Sequence, residues 1–221
     1  MKSRQPCLYM MVAILLFLGL NPVNVVAAAD TLGEEIMVLQ REWAKVNYKV
    51  PEDQQEAAFK QLTKQAEALV KRYPGRAEPL IWQAIITSSD AGATGGLSVL
   101  SKVKTARKLL KAAEKIDPDA LEGSIYTSLG SLYYQVPGWP LSFGDDEQAE
   151  RYLMKALSVN PDGIDPNYFY GDYLRNQGRY DEALEYLNRA LNAPDRANRP
   201  IADEGRRAEI RKVLKEIKAN R

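Results

Sequence analysis

Four stretches of this chain end alike, and that recurrence limits its fold more than any other feature. Each is an alanine- and leucine-rich segment closed by a proline: Ala66 to Pro74, Ala106 to Pro118, Ala149 to Pro161 and Ala183 to Pro194. The prolines lie 44, 43 and 33 residues apart. The two middle stretches superimpose, with Ala106, Leu110, Ala113 and Pro118 spaced as Ala149, Leu153, Ala156 and Pro161. The last, with Ala183, Leu187, Ala190 and Pro194, is one residue shorter at its end. Such spacing puts the alanines and the leucine on one helical face. The small residues let two helices approach closely, and the leucine fills the space between them. Proline stops each helix because it lacks an amide donor and clashes with the preceding turn.

The final unit is the most regular. Asn167, Tyr170, Gly171, Leu174, Gly178, Tyr180, Ala183, Leu187 and Ala190 stand at the positions of a tetratricopeptide repeat, a hairpin of helices A and B with a 34-residue period. In that reading Gly171 and Ala183 let the helices pack, Gly178 makes the turn, and Tyr180 packs beside it. Earlier units are degenerate: Gly130 and Tyr133 precede Ala149, Ala84 precedes Ala106, and Phe59, Leu62, Ala66 and Leu69 fit loosely.

The sequence therefore predicts an all-α tetratricopeptide-repeat solenoid of about nine helices in antiparallel hairpins. They are expected over Leu32 to Tyr48, Asp53 to Tyr73, Glu78 to Thr87, Leu97 to Ile116, Ala120 to Gln135, Asp146 to Val159, Asn167 to Gln177, Tyr180 to Leu191 and Asp203 to Ala219. Thr31 and Glu34 have capping-box spacing at the first start. Asp145 and Asp146 suit the N-terminus of the sixth. The last helix carries Ile210, Val213, Leu214 and Ile217 on one face. Arg207, Arg211, Lys212 and Lys215 on the rest read as a solvated cap closing the solenoid.

Two units exceed the regular length, and the excess lies between helix A and helix B. Ala84 to Ala106 spans 22 residues and Gly130 to Ala149 spans 19, against 12 from Gly171 to Ala183. The insertions, 10 and 7 residues, are expected as loops on one edge of the solenoid. The first, Ser88 to Gly96, holds Gly92, Gly95 and Gly96. It lacks the lysine and spacing of a phosphate-cradling loop, so the glycines read as flexibility. The second, Tyr134 to Asp145, contains Pro137-Gly138-Trp139-Pro140, a turn with preset backbone angles, and then Phe143. Two readings of Trp139 stand side by side: an anchor plugging the end of the core, or a wall of a pocket shared with the glycine-rich loop.

Helix A residues face the concave side of such a solenoid. Here they are Ser124, Thr127, Ser131, Tyr134 and Gln135, then Tyr168, Asp172, Arg175 and Asn176. That mixture of hydroxyls, amides and tyrosines suits a peptide or a small polar ligand, since tyrosine offers area at low entropic cost with a polar tip. The candidate binding residues are therefore Tyr134, Gln135, Trp139, Phe143, Tyr168, Asp172, Arg175 and Asn176.

Composition narrows the chemistry. Residues 1–29 show Lys2 and Arg4, an apolar run from Leu8 to Leu20, and Ala27-Ala28-Ala29 before Asp30. That is the three-part form of a secretory signal peptide, with a core too short for a comfortable span. Cleavage after Ala29 leaves residues 30–221 as one domain with a net charge of −1, which argues against nucleic acid. The single cysteine, Cys7, falls in the leader and ahead of the apolar run, so it is no acylation site. The chain has no histidine. Thiol chemistry, histidine-based triads and histidine metal sites are excluded from the mature chain. Carboxylates remain, but no acid–base pair stands out. No catalytic residue, cofactor or metal is expected, and no membrane span after cleavage.

The stretch Gly130 through Ala190 resembles bacterial exported tetratricopeptide proteins related to the T component of TRAP transporters. The resemblance rests on Leu129-Gly130-Ser131-Leu132-Tyr133, Pro137-Gly138-Trp139-Pro140, Phe143-Gly144-Asp145, Asn160-Pro161-Asp162-Gly163, Asn167-Tyr168-Phe169-Tyr170-Gly171 and Tyr180. It implies a periplasmic helical solenoid, able to oligomerise and to assist a solute-binding protein. The expectation is an exported, non-enzymatic module that binds a periplasmic protein. The alternative is a small-molecule or transfer accessory of a TRAP-type transporter, with the ligand between the two inserted loops.

Overall fold

Close helix contact, where the alanine–leucine pattern calls for it, organises the structure. The computed structural model describes residues 23–219, which form α1 (Val23–Lys49), α2 (Glu52–Arg72), α3 (Ala77–Thr94), α4 (Val99–Ile116), α5 (Ala120–Gln135), α6 (Asp146–Val159), α7 (Ile164–Asn176), α8 (Tyr180–Leu191) and α9 (Pro200–Ala219). The fold is all-α, with helices packed in consecutive pairs as a tetratricopeptide-like repeat. Helices α3 and α4, α5 and α6, and α7 and α8 make the hairpins.

The repeated positions do what their spacing requires. Ala106, Leu110 and Ala113 of α4, Ala149, Leu153 and Ala156 of α6, and Ala183, Leu187 and Ala190 of α8 are all fully buried. Gly130 of α5 faces Leu153, and a Cβ there would lie 2.6 Å from the leucine Cγ. Gly171 of α7 faces Leu187 at 2.8 Å in the same way. Each glycine thus admits the leucine of the partner helix into the hairpin. Gly178 takes a φ of +73° in the turn between α7 and α8, a conformation glycine reaches without strain. Tyr180, expected to pack beside that turn, is instead exposed. Between repeats, the buried Asn167 donates to the carbonyls of Pro161 and Gly163 at 2.7 and 2.9 Å, fastening the connection from α6 to α7.

Several expectations are corrected. The first insertion is not a loop: α3 continues to Thr94, so Ser88, Ser89 and Gly92 are helical. Asp90, buried, pairs with Lys102 of α4 at 2.9 Å and accepts from Thr94 Oγ1 at 3.0 Å, which ties the added turns to the neighbouring helix. Only Gly95 and Gly96 turn the chain, with φ of +66° and +67°. Thr31 and Glu34 lie inside α1 and do not cap it, because the alanine-rich residues upstream continue the helix. Residues 1–22 of the expected leader, with Lys2, Arg4 and Cys7, lie outside the described residues. At α6 the cap is as expected, with Asp145 accepting from the Gln148 amide at 3.0 Å.

The solenoid also does not stay open. Helix α9 returns to pack on α1. Gly205 lies against the Tyr48 ring so closely that a Cβ would overlap it. Lys49 pairs with Glu204 at 2.8 Å, and Ala202 joins the core built by Leu32, Ile36, Leu39 and Trp43. The expected cap is therefore a clasp between the two ends. Arg211, Lys212 and Lys215 do face solvent, whereas Arg207 is drawn to Asp195 at 2.8 Å and to the Ala193 carbonyl.

Gly130→Ala and Gly171→Ala force the facing leucines aside, and overpacking of a close contact costs about 1–3 kcal/mol. Each is expected to lower stability by that amount in urea denaturation. Gly92→Ala, in open space on a helix, is expected to leave stability unchanged or slightly raised.

Candidate binding chamber

The curve walls a partly open chamber of about 610 Å³ with α1, α3, α5, α7 and α9. One side is aromatic and apolar. Trp43 and Tyr48 come from α1, Trp82 and Ile85 from α3, and Phe169 from α7. Trp43 meets Tyr48 and Trp82 edge-on at 5.8 and 5.9 Å between centroids. Burial pushes the Tyr48 hydroxyl far above its ordinary range, so it stays neutral.

A second side is hydroxylic. Ser124, Thr127, Ser128, Ser131 and Gln135 rise along α5, one turn after another, and Ser88 and Ser89 face them from the added turns of α3. Ser124, Ser131 and Ser88 spend their protons on carbonyls of their own helices, at 2.6, 3.0 and 2.9 Å. Their oxygen lone pairs remain for a donor in the chamber. At the foot of α5 the backbone is left-handed through Leu121, Glu122 and Gly123, with φ of 52°, 55° and 75°. Leu121 and Glu122 both line the chamber, and a left-handed non-glycine residue stores on the order of 1–2 kcal/mol.

The third side is charged. Asp165, in the first turn of α7, accepts from Arg196 at 2.7 Å and from Arg206 at 2.8 Å. Arg196 also holds Asp203, and Arg206 also holds Glu209. Arg206 further lies over the Tyr168 and Phe169 rings, 4.4 and 4.7 Å from their centroids. Burial alone would raise the Asp165 carboxyl; Arg206, Arg196 and Arg199 outweigh it and hold Asp165 well below the usual carboxylate range. Arg196 and Arg199 lie in the segment before α9, so this lattice binds the closing helix to α7.

The residues singled out in the sequence divide sharply. Ser124, Thr127, Ser131 and Gln135 line the chamber as the helix A register predicts. Tyr134, Asp172 and Arg175 are brought together but form an internal network. Tyr134 donates to Asp172 at 2.8 Å, Gln135 Nε2 donates to the Tyr134 hydroxyl at 3.0 Å, and Arg175 bridges Asp172 and Glu216 at 2.7 and 3.3 Å. Burial and the Asp172 carboxylate push the Tyr134 hydroxyl well above its normal range. Tyr168 sits under Arg206, and burial raises its hydroxyl to about 12. The concave face of α7 beyond its first turn is thus covered by α9, through Glu216 and Arg206. Asn176 is exposed and does not line the chamber.

Neither reading of Trp139 holds. Its side chain is 90 % exposed at the tip of the loop, so it neither plugs the core nor walls the chamber. Phe143 does the plugging, edge-on to Tyr133 at 5.7 Å with the Arg107 guanidinium 4.2 Å from its ring centroid. The loop is held by its own backbone: Gly144 N donates to the Pro137 carbonyl at 2.9 Å, and Asp145 N to the Tyr133 carbonyl at 2.9 Å. A site between two inserted loops is overturned, because only one of them is a loop. The lining residues that the sequence missed, Trp43, Tyr48, Trp82, Arg196, Arg199 and Arg206, come from α1, α3 and the approach to α9.

Helices paired in sequence around a concave inner face define a helical-repeat protein. Residues 141–162 and 164–194, which span α6, α7 and α8, match the tetratricopeptide-repeat family. The chain's fold is similar to that of a thermophilic tetratricopeptide-repeat protein of Thermus thermophilus, at 19% identity and a TM-score of 0.52. That alignment covers 86% of this chain and 96% of the other. No curated protein matches the chain.

Asp165→Asn leaves Arg196 and Arg206 short of a counter-charge and is expected to cost about 3 kcal/mol at pH 7. The wild-type advantage is present above the ordinary aspartate range and shrinks as pH falls through about 4 and below, where the unfolded carboxyl takes up its proton first. Denaturation of wild type and variant at pH 7 and pH 3 checks both the size and the narrowing.

Proposed function

We propose that this chain is a non-enzymatic interaction module that holds a short segment of a partner protein in the chamber. The chamber itself carries this reading: its walls combine aromatic surface with hydroxyls and guanidinium groups, and tetratricopeptide repeats are generally protein-interaction scaffolds. Residues on α3, α5 and α7 supply the wall, and α9 sets its depth. A small solute is the second reading, favoured by the volume, which lies within the 300–1,000 Å³ common for small-ligand sites. In that case the module serves as an accessory to solute transport, in keeping with the resemblance of its central stretch to TRAP T components.

We propose further that the module acts outside the cytoplasm. The leader pattern of residues 1–29 supports export, and among the described residues no helix is long and apolar enough to cross a membrane. The absence of histidine supports a role in binding over catalysis.

Ser128 lines the chamber from α5 and is half-buried. Ser128→Trp is expected to fill part of the chamber and release whatever co-purifies with the chain from its host, with helicity by circular dichroism unchanged. Trp139→Ala is expected to leave capture intact. The reverse pattern in native mass spectrometry moves the interaction to the exposed loop and overturns the chamber reading.

A further inference from the structure

Among the buried polar atoms of the residues that line the chamber, two N–H groups have no partner. Trp82 is 3 % exposed, and its indole Nε1–H has no acceptor. The Arg199 Nε–H is also buried and without an acceptor. Both residues line the chamber, and the Arg199 Cζ lies 5.4 Å from the Trp82 ring centroid. Their neighbours show how unusual this is. The Trp43 indole donates to Ser89 Oγ at 2.8 Å, while Arg196 and Arg206 each grip two carboxylates. The Arg199 guanidinium makes no hydrogen bond and no ion pair among the described residues; its contact is the Trp82 ring.

Buried donors without acceptors cost free energy, and a charged one costs more. The nearby carboxylates cannot relieve Arg199, since Asp165 and Asp203 are held by Arg196 and Arg206. Burial, with Arg196 and Arg206 beside it, lowers Arg199 against the pull of Asp165 and Asp203, yet an arginine stays charged at neutral pH. Ring contact satisfies the face of the guanidinium and leaves its Nε–H unmet. Both unmet donors belong to side chains in contact, the Arg199 guanidinium lying over the Trp82 ring, and a cationic donor calls for an acceptor that carries negative charge.

We infer that Arg199 and Trp82 form an oxyanion site, which takes a carboxylate or phosphate group of the ligand while Trp43, Ile85 and Phe169 receive its apolar part. The inference rests on the chamber being the binding site proposed above.

The test uses the full chain carrying Trp139→Phe, which leaves Trp43 and Trp82 as its tryptophans. Fluorescence and melting temperature are followed during titration with benzoate, phenyl phosphate and benzyl alcohol. The anions are expected to change emission saturably and raise the melting temperature, with benzyl alcohol at least tenfold weaker. Stronger binding of benzoate assigns a carboxylate; stronger binding of phenyl phosphate assigns a phosphate. Arg199→Gln is expected to weaken the anions at least tenfold without altering benzyl alcohol. Should that variant fold poorly, Arg199→Lys keeps the charge over Trp82 and lacks the Nε–H, and it is expected to show the same loss. Equal binding of all three probes, or no effect of either Arg199 variant, overturns the oxyanion site and leaves the chamber as a binding site. Binding of none, with Ser128→Trp still releasing the partner, overturns the oxyanion site alone. Binding of none, with capture indifferent to Ser128→Trp, overturns both.

Discussion

Asp165 is the point on which the closed form of this protein turns. One carboxylate in the first turn of α7 gathers Arg196, from the segment leading into α9, and Arg206, from α9 itself. The carboxylate offsets the repulsion between the two guanidinium groups, which is stronger in a partly dry site than in water. With the carboxylate between them, and Asp203 and Glu209 flanking, the group of charges is compensated and α9 is fixed across the inner face. The same placement lays Arg206 over Tyr168 and Phe169, and the contacts of Gly205 with Tyr48 and of Lys49 with Glu204 hold the helix against α1 as well.

The local packing follows a simpler rule. The hairpins α5/α6 and α7/α8 each bring a leucine of the second helix onto a glycine of the first, with fully buried alanines above and below. This contact depends on the absence of a side chain at Gly130 and Gly171, so it is sensitive to volume and indifferent to charge. The protein thus joins two kinds of contact: volume-sensitive packing inside the hairpins, and charge-sensitive fastening where the chain closes on itself.

Those two kinds of contact differ in how far they can be read from the sequence. The alanine–leucine–alanine triplets gave the helices α4, α6 and α8 and their buried faces, since spacing within a helix is a local property. Gly130 and Gly171 could be placed for the same reason. Ser88 to Gly96 could not, because its glycines signal a loop while the Asp90–Lys102 pair, which ties the added turns to α4, reaches across to another helix. The helix A register correctly placed Ser124, Thr127, Ser131 and Gln135 on the inner wall. It failed for Tyr168, Asp172 and Arg175 because α9 lies over them, and nothing in the repeat pattern records that return. Arg196, Arg199 and Arg206 lie outside any repeat, so their convergence had no periodic signal to announce it.

The meeting of α1 with α9 changes what kind of object the stack is. An open array can gain or lose a unit at small cost, since each repeat touches only its neighbours. Here the two ends must also meet, with Gly205 on the Tyr48 ring and Lys49 beside Glu204. The number of repeats is therefore locked to the curvature, and a duplicated or deleted unit would carry the ends past each other. A change in the number of repeats would therefore require the contact of α1 with α9 to be rebuilt from new residues.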